Sequence, residues 1–172
     1  MDIKEKIEKL SKDSGLDFSI IFNVSDVKIT DAKLHDTIYG LASYKEVFID
    51  INKMVNRIDY ELSLFIILHE IAHYKRITKM GFSKYLDNIT NEDIIVFLDF
   101  IIQEEIFADR WASLVFYLKT GKEFPRNKTQ RLDDKCNREK YERRLGPSHE
   151  VYKGKTVYDY EEILKNYVID VR

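Results

Sequence analysis

The residues best suited to chemistry are His69, Glu70 and His73, in the order His-Glu-Ile-Ala-His. On a helix, side chains four apart point the same way, one turn above the other. Two imidazoles so placed can share one zinc ion at ~2.0–2.1 Å each. Zinc lowers the pKa of a water it holds to about 7. Glu70, directly after the first histidine, can reach that water as general base and later pass the proton to a leaving amine. Two unpaired imidazoles on an apolar helix face are costly to bury, and a metal satisfies both.

Catalytic zinc usually has three protein ligands and one open position. The run Gln103 to Ala112 holds the candidates. Glu105 shares a helical face with Leu98, Ile101, Ala108 and Ala112, where a carboxylate is rare unless paired or metal-bound. Its alternative is an ion pair with Arg110 or Lys119. Glu104 is rotated toward a more polar side, which gives it a surface role at most. Asp109, one turn beyond Glu105, is placed to accept from the outer nitrogen of a zinc-binding histidine. His149, in an expected loop after Gly146-Pro147-Ser148, and Tyr74, Tyr141 and Tyr152 have groups able to donate to an oxyanion. Their spacing ties none of them to the metal, so ordinary surface or core roles are expected.

Several elements must position these residues. Ile3, Ile7 and Leu10 recur at helical spacing, which predicts a helix over Asp2–Ser11 ended by Gly15. Phe18–Val24, Thr37–Ala42 and Glu46–Ile51 are rich in β-branched and aromatic residues and read as strands of a small sheet. The pattern then becomes helical, with Asp59 as N-cap and Gly81 as stop of the helix that carries the histidines. A second helix is expected from near Thr90 to Gly121, with Glu92 and Asp93 in its first turn. Beyond it, the pattern predicts a charged helix over Arg131–Leu145, a hairpin over Val151–Tyr158 around Gly154, and a last helix over Asp159–Tyr167.

Composition narrows the function classes. A chain of 172 residues suits one domain. Charged residues make up 34%, but the net charge is only -2, so global charge points to neither nucleic acid nor membrane. One cysteine, Cys136, in a charged stretch, fits a surface thiol and a reducing compartment. The N-terminus lacks the apolar core of a signal peptide, and the longest apolar runs fall short of the ~20 residues needed to span a bilayer. The expectation is a cytoplasmic protein.

Three runs together resemble the ImmA/IrrE family of metallopeptidases. They are Val47-Phe48-Ile49-Asp50-Ile51-Asn52, then, after a short loop, Phe65 to His73, then Glu105-Ile106-Phe107-Ala108-Asp109-Arg110-Trp111-Ala112. The resemblance covers roughly residues 40–118. Ala72 stands where family members often have glycine. The resemblance implies zinc on His69, His73 and Glu105, with Glu70 as base. It also implies a bacterial or phage regulator as substrate class.

The expected architecture is α+β and zincin-like, a small sheet packed on the HExxH helix and a second ligand-bearing helix. Residues 1–121 would form this domain, with 122–172 a charged extension packed on it. The expected activity is zinc-dependent hydrolysis of a peptide bond, with the substrate extended along a sheet edge near Gly40–Tyr44. Two other readings share these residues. One is a catalytically silent zinc protein that binds or senses. The other is a nucleic-acid-associated module using Arg126, Lys128, Arg131, Lys135, Arg138, Lys140, Arg143 and Arg144. Interspersed acids at Asp133, Asp134, Glu139 and Glu142 favour a solvated helix over that last reading.

Overall fold

The computed structural model of the chain describes residues 2–124 and 138–172. Helix α1 (Ile3–Ser14) buries Ile7 and Leu10, and the Glu5 carboxylate accepts from the backbone N–H of Asp2 at 3.0 Å. The run over Phe18–Val24 is not a strand. Phe18, Ile20 and Ile21 are all buried, a pattern that the alternating faces of a strand do not favour. The segment instead coils into a single turn, α2 (Ile20–Asn23), with Val24 N–H donating to the Ile20 carbonyl.

The sheet has four strands in the order β2-β3-β1-β4. They are β1 (Ile29–Leu34), β2 (Gly40–Ala42), β3 (Val47–Ile49) and β4 (Val168–Val171). β1 runs parallel to β3, and the other pairs are antiparallel. β2 and β3 are shorter than their expected spans, and β1 and β4 were not anticipated. Asp31 and Lys33 break the apolar pattern of β1, yet the strand is central and almost wholly buried. Where the sequence reads as a loop after β3, the chain turns directly into α3 (Ile51–Arg57), because Asp50 caps it by accepting from Lys53 N–H at 3.0 Å.

The helix carrying the histidines has its expected caps, whereas the second long helix starts at Ile94 and not near Thr90, so Glu92 and Asp93 precede its first turn and Asp93 is its N-cap. In α4 (Tyr60–Met80), Asp59 accepts from Leu62 N–H at 2.8 Å. In α6 (Ile94–Thr120), Asp93 accepts from Ile95 N–H, and Gly121 closes the helix in the left-handed conformation at φ 70°. A further helix, α5 (Phe82–Ile89), lies between them. Ala72 on α4 and Ala108 and Ala112 on α6 are fully buried, and such small side chains let packed helix backbones approach closely.

In the C-terminal part the last helix covers the expected Asp159–Tyr167, but the preceding segment differs from expectation. α7 spans Arg138–Tyr152 and α8 spans Val157–Tyr167, so Val151–Tyr158 is no hairpin. Gly154 does turn the chain, at φ 66°, with its N–H on the Thr90 carbonyl. The Thr156 hydroxyl then caps α8, which fixes helix rather than strand after the turn. Residues 131–137 of the expected charged helix, and Cys136 with them, lie outside the described residues.

One core cluster joins α1, α2, the sheet, α3 and α4 to Ala112, Phe116 and Phe124. A second joins Leu86 and Ile89 of α5, Phe97 and Leu98 of α6, and Tyr160 and Leu164 of α8. The architecture is therefore α+β, with a small mixed sheet, α4 packed against the sheet and α6 packed against α4. Among the described residues, no helix is long and apolar enough to cross a membrane.

Candidate metal centre

His69 and His73 lie one turn apart on α4, and Glu105 faces them from α6. The two Nε2 atoms are 3.0 Å apart. Glu105 Oε1 is 3.2 Å from His73 Nε2, and Oε2 is 3.6 Å from His69 Nε2. Ligand atoms ~2.1 Å from a tetrahedral metal are roughly 3.4 Å from one another. The three donors all lie within 4.8 Å of one another, a spacing compatible with a single metal ion.

Asp109 lies on the far side of His69, its Oδ1 2.8 Å from Nδ1. That bond makes Nδ1 the donor and leaves Nε2 free as ligand, and it fixes the ring. Without a cation, burial opposes charge on His69. The hydrogen bonds from Asp109 and Glu105, and the charges of Glu105 and Glu70, outweigh burial and raise His69 well above its ordinary range. Burial likewise opposes ionisation of Glu105, but its contacts with His69 and His73 hold it well below the carboxylate range. The centre therefore holds a charge-complementary arrangement into which a cation can substitute for protons.

Glu70 points from α4 toward the sheet edge, where its Oε2 accepts from the Ala42 backbone N–H at 2.9 Å. A Cβ on Gly40 would stand 2.6 Å from Glu70 Cγ. Gly40 is therefore required by close approach and not by an unusual backbone angle. This contact joins β2, the outer strand of the sheet, to the residue expected to act as base.

Glu104 corrects the sequence reading. It is buried, 2% exposed, and not on a polar surface. Its Oε1 accepts from both Nε (3.0 Å) and Nη2 (2.7 Å) of Arg76 on α4. The pairing could not be read from the period of α6 alone, because the partner sits on another helix. The alternative pairing of Glu105 with Arg110 or Lys119 is replaced by its contacts with the histidines.

The other candidates lie elsewhere. His149 is in helix α7, not a loop, and is buried, with Nε2 donating to the Asn91 carbonyl at 2.8 Å and its ring 5.0 Å from that of Phe97. Tyr152 packs against the second core cluster, where burial and then Tyr167 push its phenol up to about 12. Tyr74 packs on the first cluster, and the side chain of Tyr141 is outside the described residues. Tyr85 on α5 was not singled out by any motif. Burial, then Tyr160, Tyr152 and the carboxylates of Glu104 and Glu105, raise its phenol well above the usual value. Its ring packs on the second core cluster, edge-on to Phe100 with the ring centres 5.5 Å apart.

No family model, no curated protein and no solved structure matches the chain.

Proposed function

We propose that the chain is a zinc-dependent metallopeptidase with a zincin-like site, related to the ImmA/IrrE-like peptidases and acting on a peptide bond of a protein substrate. The observation that carries this reading is the set His69, His73 and Glu105, whose donor atoms all lie within 4.8 Å of one another, with Glu70 beside them. Two imidazoles and one carboxylate with a fourth side left to water are a donor set suited to zinc in hydrolytic sites. Bound there, zinc would polarise the scissile carbonyl and ease deprotonation of the attacking water.

The chain's own residues would do the rest. Glu70 takes the proton of the attacking water and hands it to the leaving amine. Asp109 keeps the His69 ring in one tautomer and one orientation. A substrate strand laid along β2 would meet Glu70 at the strand's outward edge, which is a reason for the base to contact Ala42.

Glu70→Gln is the direct test. The variant should bind zinc with near wild-type affinity and lose cleavage by about 100-fold or more. The assay is mass spectrometry on a peptide library and on candidate bacterial or phage regulators. Near-normal cleavage by zinc-loaded Glu70→Gln would refute the mechanism.

A further inference from the structure

Each of the two helices that supply the donor set carries one half of a second ion pair, with the Glu104 carboxylate buried and the Arg76 side chain 31% exposed. Arg76 lies one turn after His73 on α4, and Glu104 lies one residue before Glu105 on α6. The guanidinium uses Nε and Nη2 together on a single carboxylate oxygen, so the pairing fixes direction as well as distance. Its carbon also sits 4.9 Å from the centre of the Phe107 ring, on the turn of α6 that carries Glu105. Glu104 Oε2 has no hydrogen-bond partner among the described residues and is buried.

Such a pair is a poor way to gain stability. Well-packed apolar residues of similar volume commonly serve a buried contact as well or better, and a buried charge with a spare lone pair is costly. What an ion pair with a fork on one side provides is a defined register between the elements it joins. The register that matters here is the rotation of α6 about its axis. One residue of helix is about 100°, and the donor distances of 3.2 and 3.6 Å leave Glu105 little room to turn.

We infer that Glu104 and Arg76 are positioning residues of the metal centre: their pair, with the Glu104 carboxylate buried, holds α6 against α4 in the one rotation that aims the Glu105 carboxylate between His69 and His73. The inference rests on the metal-centre reading above. It assigns Glu104 no contact with the metal and no part in proton transfer.

The test uses the full chain as wild type, Glu104→Gln, and the double variant Arg76→Met with Glu104→Leu, which exchanges the pair for apolar volume. Each is measured for zinc affinity by chelator competition, for the visible spectrum of its cobalt form, and for the melting temperature of the metal-free protein. Zinc affinity should fall about 10-fold in Glu104→Gln and about 10–100-fold in the double variant, the range for groups that orient metal ligands. The cobalt bands should shift or weaken. The metal-free double variant should melt near wild type, because packing is preserved, so the affinity loss is not a loss of folding. Zinc affinities within twofold of wild type with an unchanged cobalt spectrum would overturn the inference and leave the metal centre standing. An affinity loss that merely tracks a fall in metal-free melting temperature would also overturn it, since that is what a purely structural pair would show. A wild type that takes up no zinc would instead refute the metal-centre reading itself.

Discussion

Two clusters of charged residues, one buried and one half-buried, lie on this fold, and they are finished in different ways. Beside the sheet, Lys53 places its ammonium on the carbonyls of Leu34, His35 and Ile38 at 2.8–2.9 Å, so all three of its donors are used. Asp50 accepts from the backbone N–H groups of Leu34 and Lys53 and from Arg172. Asp31 accepts from Ile51 N–H and from Lys6. Each polar group there has met a complementary one, and the cluster ties β1, α3 and β4 together. Between α4 and α6, by contrast, two imidazole nitrogens and a carboxylate converge on one point. The first cluster is complete with the chain alone; the second brings together three groups spaced as a metal ion would need them.

The largest effect that separates the two clusters is expected at Lys53. Lys53→Met leaves three carbonyls and Asp50 without their cation, and should cost about 3–5 kcal/mol in urea denaturation of the metal-free protein. Zinc affinity of the folded fraction should stay within about twofold. A variant that keeps its stability but loses zinc would mean that the clusters are not separable in this way.

Gly40→Ala sharpens the other side of the comparison. The new methyl would meet Glu70 Cγ at 2.6 Å, so the base or β2 must move. A displacement of about 1 Å at a reacting group can lower turnover about 100-fold. The metal donors are not in that contact, so zinc should be retained. Turnover close to wild type in Gly40→Ala would show that the approach of β2 to Glu70 has no catalytic consequence.

The smallest effect is on acid stability. Burial alone would raise the Asp50 carboxyl, but the N–H groups of Leu34 and Lys53, then the charges of Arg172 and Lys53, outweigh it and hold Asp50 below 3.8. The unfolded chain therefore binds the proton first as pH falls. Asp50 contributes its full stabilisation above about pH 3.8, and this is lost as pH falls toward the lower folded value. Asp50→Asn in the metal-free protein should flatten that limb of the stability curve. An unchanged acid limb would show that Asp50 is not favoured by the fold.

Much of the donor set could be read in advance, because it lies on long helices with strong punctuation. Asp59, Gly81 and Gly121 bound α4 and α6 where the sequence marks them, through local hydrogen bonds and backbone freedom, which depend on neighbours in the chain; the start of α6, at Ile94 after the Asp93 cap, lies later than Thr90. His69, His73, Glu105 and Asp109 follow from the period of those helices. What the sequence hid depends on distant partners. β1 carries Asp31 and Lys33, and Asp31 is tolerated in a central strand because Ile51 N–H and Lys6 reach it. Phe18–Val24 has strand composition, but its apolar residues are buried in common against other elements. Glu104 reads as polar surface until Arg76 is placed opposite. The C-terminal segment was read most poorly, since a turn at Gly154 is compatible with either strands or helices on its two sides. β4 then pairs with β1, and Tyr160 and Leu164 of α8 enter the second core cluster.

The central claim is that the convergence of His69, His73 and Glu105 is a zinc site. Its most direct measurement is calorimetric titration of the chelator-stripped protein with zinc, beside Glu105→Ala. Wild type should take up one zinc per chain, and its affinity should fall by at least about 100-fold in Glu105→Ala, which loses a charged ligand. Failure of wild type to bind zinc, or binding that Glu105→Ala leaves unchanged, would contradict the account.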